Sequence, residues 1–127
     1  MALGKIKADT LEHSTAGSLD TKFVVNGSAK VWVNFNGEGT AAIRDSFNVS
    51  SLVDSGTGNF TYNTTNNLAT ANYARLVSAG DASNRRAADT GGAVFNTTSA
   101  IIVIAEDFAG NLTDVDDANG MAQGDLA

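Results

Sequence analysis

Apolar and polar residues alternate with a period of two over much of this chain. In "KVWVNFNG" (30–37), Val31, Val33 and Phe35 take one side and Trp32 and Asn34 the other, as in a half-buried strand. Asn-Gly pairs at 26–27 and 36–37 punctuate the apolar runs, and such pairs predict hairpin turns. "TKFVVNGS" (21–28) is thus predicted as the strand before the first turn. "TAAIRDSFNVSS" (40–51) alternates again, with Ala41, Ile43, Phe47 and Val49 on one side and Asp45 breaking their apolar face. "NFTYNTT" (59–65) and "ANYARLVSAG" (71–80) read as further strands. "TSAIIVIAED" (98–107) is continuously apolar, as a strand buried on both faces is, and "EDFAGNLTDVDD" (106–117) predicts a closing hairpin.

No stretch holds a helical apolar period for more than two turns without Gly or a β-branched residue. Short strands at intervals of about 8–12 residues, with turn residues between them, point to an antiparallel sandwich or barrel. Residues 81–98 are small, polar and Gly-containing, and predict a surface excursion. Residues 1–20 are polar with little periodicity, as an arm that needs a partner would be.

Composition narrows the function classes. The 127 residues suit one domain, and charged residues at 17% fall below the roughly 25% usual in soluble domains, so Asn, Thr, Ser and Gly wet the surface. A net charge of -6 argues against nucleic acid, whose phosphates call for clustered Lys and Arg. Without cysteine there is no disulfide, thiolate metal site or cysteine nucleophile. No run of 18 apolar residues and no signal-type apolar core occurs, so membrane insertion and secretion by that route are not expected.

Catalytic chemistry finds little footing. The only histidine, His13, lies in the polar arm between Glu12 and Ser14 and is expected to be an arm residue, not a triad base. Glu38, Asp45, Asp54 and Glu106 are the carboxylates from which a glycosidase pair would be drawn. Glu38 suits a solvated turn tip, while Asp45, beside Arg44, suits a structural ion pair or a subunit contact. "DVDDANGMAQGD" has calcium-loop composition, but Ala118 falls at the fifth ligand position and no Glu closes the loop, so a solvated acidic tail is expected. The sequons at Asn48, Asn59, Asn63 and Asn96 are expected to be turn-forming Asn beside strand-forming Thr or Ser.

Trp32, Tyr62 and Tyr73 remain as aromatics for recognition. Either they stack on sugars, as in an adhesin, or they pack between subunits, which the enrichment of Trp and Tyr at interfaces favours. Trp32 stands on the polar side of its strand, with Lys30 and Asn34 at the edge of the expected contact.

"VVNGSAK" (24–30), "WVNFNG" (32–37), "IRDSFNVSS" (43–51), "DSGTGNFT" (54–61) and "ANYA" (71–74) together resemble a module of structural and tail-fibre proteins of tailed bacteriophages, especially phages of marine bacteria. The likeness covers roughly residues 6–75, with a looser fit at "AIIVIAEDFAGNLTD". It implies a β-rich virion component, commonly trimeric, made in the host bacterial cytoplasm. The expectation is therefore all-β: an antiparallel β-sandwich or jelly-roll-like domain over 21–127 behind an extended N-terminal arm over 1–20. Ile6, Leu11, His13 and Leu19 would anchor the arm to another virion protein. The chain carries little beyond the module, so the first expectation is a trimeric fibre or spike module for attachment to host surface polysaccharide or protein. A head-decorating protein is the alternative, and a depolymerase comes last. Neither catalysis nor a cofactor is expected.

Overall fold

A computed structural model of the protein describes residues 7–81, 86–89 and 96–127; Ile6 and the side chain of His13 lie outside what is described. Among the described residues the fold is all-β apart from one short helix. It begins with a small hairpin, β1 (Thr10–His13) and β2 (Gly17–Asp20), in which Leu11 lies opposite Leu19.

The segment predicted as a strand over 21–28 is instead α1 (Thr21–Gly27), and Asn26-Gly27 closes this helix where a hairpin turn was predicted. Thr21 turns the chain, its N–H reaching the Asp9 carbonyl at 2.8 Å and its hydroxyl the Ala8 carbonyl at 2.7 Å. Asn and Gly also suit helix ends, so one pair of residues serves two opposite signals. Lys30 finishes the end by donating its ammonium to the carbonyls of Val25 and Ser28. The helix buries none of its residues.

The remaining strands are β3 (Val31–Asn36), β4 (Ala42–Phe47), β5 (Val49–Asp54), β6 (Asn59–Thr64), β7 (Ala74–Gly80), β8 (Ala87–Asp89), β9 (Ala100–Glu106) and β10 (Asp117–Gln123). They form two four-stranded antiparallel sheets, ordered β4-β3-β10-β7 and β5-β6-β9-β8. The Asn36-Gly37 signal does mark a hairpin, joining β3 to β4. Between the sheets lie Val31, Val33 and Phe35 from β3, Phe60 and Tyr62 from β6, Ile101, Val103 and Ala105 from β9, and Ala118 and Ala122 from β10. Phe35 and Phe60 meet across the layers edge to face, their centroids 5.2 Å apart. On β9 the expected two-sided burial becomes an alternation of buried and half-buried residues.

The stretch 40–51 is two strands, not one. The register of β4 on β3 shifts between Asn34 and Phe35: Ile43 pairs with Phe35, but Asp45 pairs with Asn34 and Phe47 with Trp32. Arg44 is the extra residue of this bulge. One inserted residue reverses the facing of everything beyond it. Ile43 therefore shares the side of inward Phe35, while Asp45 and Phe47 join outward Trp32. Asp45 breaks no apolar face. Asn48 then carries the chain into the second sheet at a positive φ of 58°, its amide donating to the carbonyls of Lys30 and Asn66 and accepting from the Asn66 N–H.

The acidic segment expected to be a solvated tail also changes. The turn after β9 forms, with the Asp107 N–H on the Asn111 carbonyl and Glu106 bridging Leu112, but the chain then leaves for the first sheet. There 117–123 runs as β10 between β3 and β7. Small Ala118, Gly120 and Ala122 point inward, so period two survives in residues too small to register as an apolar alternation.

Candidate binding face

The outer surface of the β4-β3-β10-β7 sheet carries the expected tryptophan, and pairing brings it unexpected company. Trp32 lies between Phe47 on β4 and Met121 on β10, and Met121 in turn pairs with Leu76 on β7. Four large apolar side chains thus form a row across all four strands. Phe47 is 54% exposed, Trp32 37% and Leu76 68%, with Met121 half-buried beneath them. Taking full aromatic side chains as about 200–250 Å², Trp32 and Phe47 each present roughly 100 Å² to solvent. The row totals a few hundred Å², the size of the largest apolar patch on an ordinary monomer and one that often carries function.

One pleat further along, Asp45, Asn34, Asn119 and Ser78 form a parallel polar row. Asp117 organises it. Its Oδ1 accepts from Asn34 Nδ2 at 2.6 Å and from Arg44 at 3.1 Å, and its Oδ2 accepts from Asn119 Nδ2 at 3.3 Å. Asn34 Nδ2 also donates to Asn119 Oδ1 at 2.8 Å. Arg44, the neighbour for which a structural ion pair with Asp45 was one of two expectations, reaches Asp117 and the Asp116 carbonyl. The bulge lets it cross β3 in this way.

Between the flanks of the two rows lies a groove of about 360 Å³ above β10. Trp32 and Asn34 form one wall and Leu76 and Ser78 the other, with Asn119, Gly120 and Met121 as its floor. Gly120 holds the floor close to the second sheet, because a Cβ there would sit 2.7 Å from Tyr62 Cε1.

The other predicted site residues divide. Tyr62 is wholly buried, so it is a core residue and not a surface for sugars or subunits; its hydroxyl has no hydrogen-bond partner among the described residues, and burial, helped by nearby Tyr73, raises its pKa. Tyr73 is nearly as buried, donating its hydroxyl to the Thr97 carbonyl at 3.0 Å, and burial raises its pKa while nearby Arg75 opposes the rise. Lys30, expected at the edge of a contact, donates its ammonium at the helix end to the Val25 and Ser28 carbonyls and the Ser28 hydroxyl. Leu11 and Leu19 are exposed on the hairpin, as anchoring residues would be, and Phe23, Val24 and Val25 of α1 are exposed as well. Phe47, Leu76 and Met121 were not singled out by the sequence.

The candidate carboxylates are dispersed: Glu38 lies in the exposed turn between β3 and β4, Asp45 on β4 of the first sheet, and Asp54 and Glu106 at strand ends of the second. Asp54 caps its own turn through the Gly56 N–H, and Asp114 accepts from the Gly58 N–H. Among the described residues no group of three or more His, Cys, Asp or Glu side chains is placed to hold a metal ion, and no helix is long and apolar enough to cross a membrane. No family model matches the chain, nor does any curated protein or solved structure.

Proposed function

We propose that the protein is a structural component of a tailed-phage virion, a fibre or spike module that works by docking and attachment, not by turnover. The resemblance in the sequence suggests the setting. The observation that supports docking is the N-terminal hairpin and helix: residues 7–28 form ordered elements, yet α1 buries nothing and Leu11, Leu19, Phe23, Val24 and Val25 face solvent. A two-stranded hairpin is marginal alone in water. Its apolar side chains call for cover by another chain of the particle, and the sandwich serves as the rigid body that this element attaches.

The module is proposed to assemble as a homotrimer, which light scattering after gel filtration tests directly against the monomer mass of 13.0 kDa. Quantitative proteomics of purified virions tests the setting: a few copies per particle mark a fibre or spike, and hundreds mark a head-decorating protein. A chain absent from purified particles sinks the proposal. Removing residues 1–28 should leave a folded sandwich that no longer enters particles; incorporation of the truncated chain would refute the role given to the arm.

A further inference from the structure

We propose that the groove above β10 is a binding site for a neutral saccharide, with one sugar ring stacked on Trp32 and its hydroxyls held by Asn34, Asn119 and Ser78. This supplies a ligand for the attachment half of the proposed function and depends on that reading only for its biological setting. The groove itself stands on geometry.

Size is the first consideration. A stable protein interface takes about 800 Å² from each partner, whereas the apolar row offers only a few hundred before the polar row begins. The groove is concave, and its volume of about 360 Å³ falls within the range of small-molecule sites. Its walls stand on β3 and β7, which are two strand spacings apart, or about 9.6 Å. A single ring fits such a slot better than a protein surface does.

Chemistry then selects the ligand. One end of the groove is apolar, with Trp32, Leu76 and Met121, and the other is lined by amides and a hydroxyl. A pyranose has the matching division, with apolar C–H faces and a rim of hydroxyls that both donate and accept. Asn34 spends both amide hydrogens on Asp117 and Asn119. Among the described residues its Oδ1, the second hydrogen on Asn119 Nδ2 and the Ser78 hydroxyl are left to offer one acceptor, one donor and a group that does either. The groove lining carries no charge, Arg44 pairs with Asp117 at its edge and leaves Asp45 there as the negative flank, and the chain's net charge is -6, so an anionic sugar is disfavoured. Asp117 and Arg44 fix the amides before any ligand arrives, and Phe47 and Met121 flank Trp32 across the strands, which lowers the ordering cost of binding.

The chain's single tryptophan makes the test direct, since all indole fluorescence comes from the groove wall. Full-length protein is titrated with neutral oligosaccharides of glucose, mannose, galactose, xylose and N-acetylglucosamine, with oligogalacturonate as the anionic control. A saturable shift of Trp32 emission with at least one neutral probe is expected. Asn119→Ala, which keeps the fluorophore, should weaken that probe about tenfold or more, as loss of a positioned polar contact does. Trp32→Ala, followed by calorimetry, should abolish binding while circular dichroism shows the fold retained. Phe108→Ala, outside the groove, should change nothing. The proposal is overturned if no neutral probe shifts the emission or if the anionic control binds more tightly. It is equally overturned if emission follows protein concentration without sugar, which would make the face a contact between copies. Failure here leaves the virion assignment standing, and absence from particles leaves the saccharide site standing.

Discussion

Gly120→Ala tests the packing beneath the groove most sharply. The new methyl would sit 2.7 Å from Tyr62 Cε1 and 2.8 Å from its hydroxyl, where carbon contacts settle near 3.5–4.0 Å. Tyr62 is fully buried on β6, so relief must come from displacing its ring within the core or spreading the sheets. Overpacking of this kind costs roughly 1–3 kcal/mol. Replacing Gly by Ala within a strand returns about 0.5–1 kcal/mol. The net loss is therefore about 1 kcal/mol, within a span of about 0–2.5 kcal/mol, or a fall in Tm of roughly 4–8 °C for a domain near 100 residues. Urea unfolding followed by circular dichroism should show a lower midpoint with an unchanged slope. Tyr62→Phe should rescue little, because the Cε1 contact remains, whereas in a Tyr62→Leu background the added methyl should cost much less. A Gly120→Ala protein as stable as the parent would show that Tyr62 does not press against β10, and the floor of the groove would need redrawing.

Three further outcomes follow from single residues. Asn48→Gly keeps the positive φ but loses the bonds to Lys30 and Asn66, so a loss of about 1–3 kcal/mol is expected; Asn48→Ala should cost about 1 kcal/mol more, read from urea midpoints. Tyr62→Phe removes a buried hydroxyl without a partner and should raise stability by about 1 kcal/mol, so a lower midpoint would reveal an unseen bond. Asp107 accepts from Asn111 and Ala109, which lowers its pKa below 3.8 in the folded state. Its contribution to stability is therefore present above that value and fades as pH falls through the lower folded one, so Asp107→Ala should flatten the acid limb of a midpoint-against-pH curve.

The all-β class was legible because β3, β6 and β9 write their facing in large residues: Val31, Val33 and Phe35, then Phe60 and Tyr62, then Ile101 and Val103. β10 was not, since Ala118, Gly120 and Ala122 keep the same period in side chains too small to stand out among aspartates. The helix at 21–27 was hidden by a pair, Asn26-Gly27, that serves a hairpin and a helix end alike. Residue type alone leaves Tyr62 and Tyr73 as aromatics for sugars or subunits, with interface enrichment favouring the second, but strand parity puts Tyr62 with Phe60 and Thr64, all of them inward.

The outer face of the first sheet shows where such reading stops. Trp32 was visible as an exception to its own strand's alternation, yet one exposed aromatic does not make a site. What gives it meaning is a row drawn from positions 32, 47, 76 and 121, each on a different strand, and no sequence window contains two of them in register. Phe47 joins that row only because the bulge at Arg44 turns it outward. Without the inserted residue, Phe47 would share the core side with Ile43, and Asp45 would be buried with it. The same insertion frees Arg44 to reach Asp117 and brace the amides beside Trp32. Asp45, read in the sequence as a flaw in an apolar face, was therefore the one local sign of the bulge. An apparent break in period two is better tested first as a register shift, and only then as an unusual buried charge.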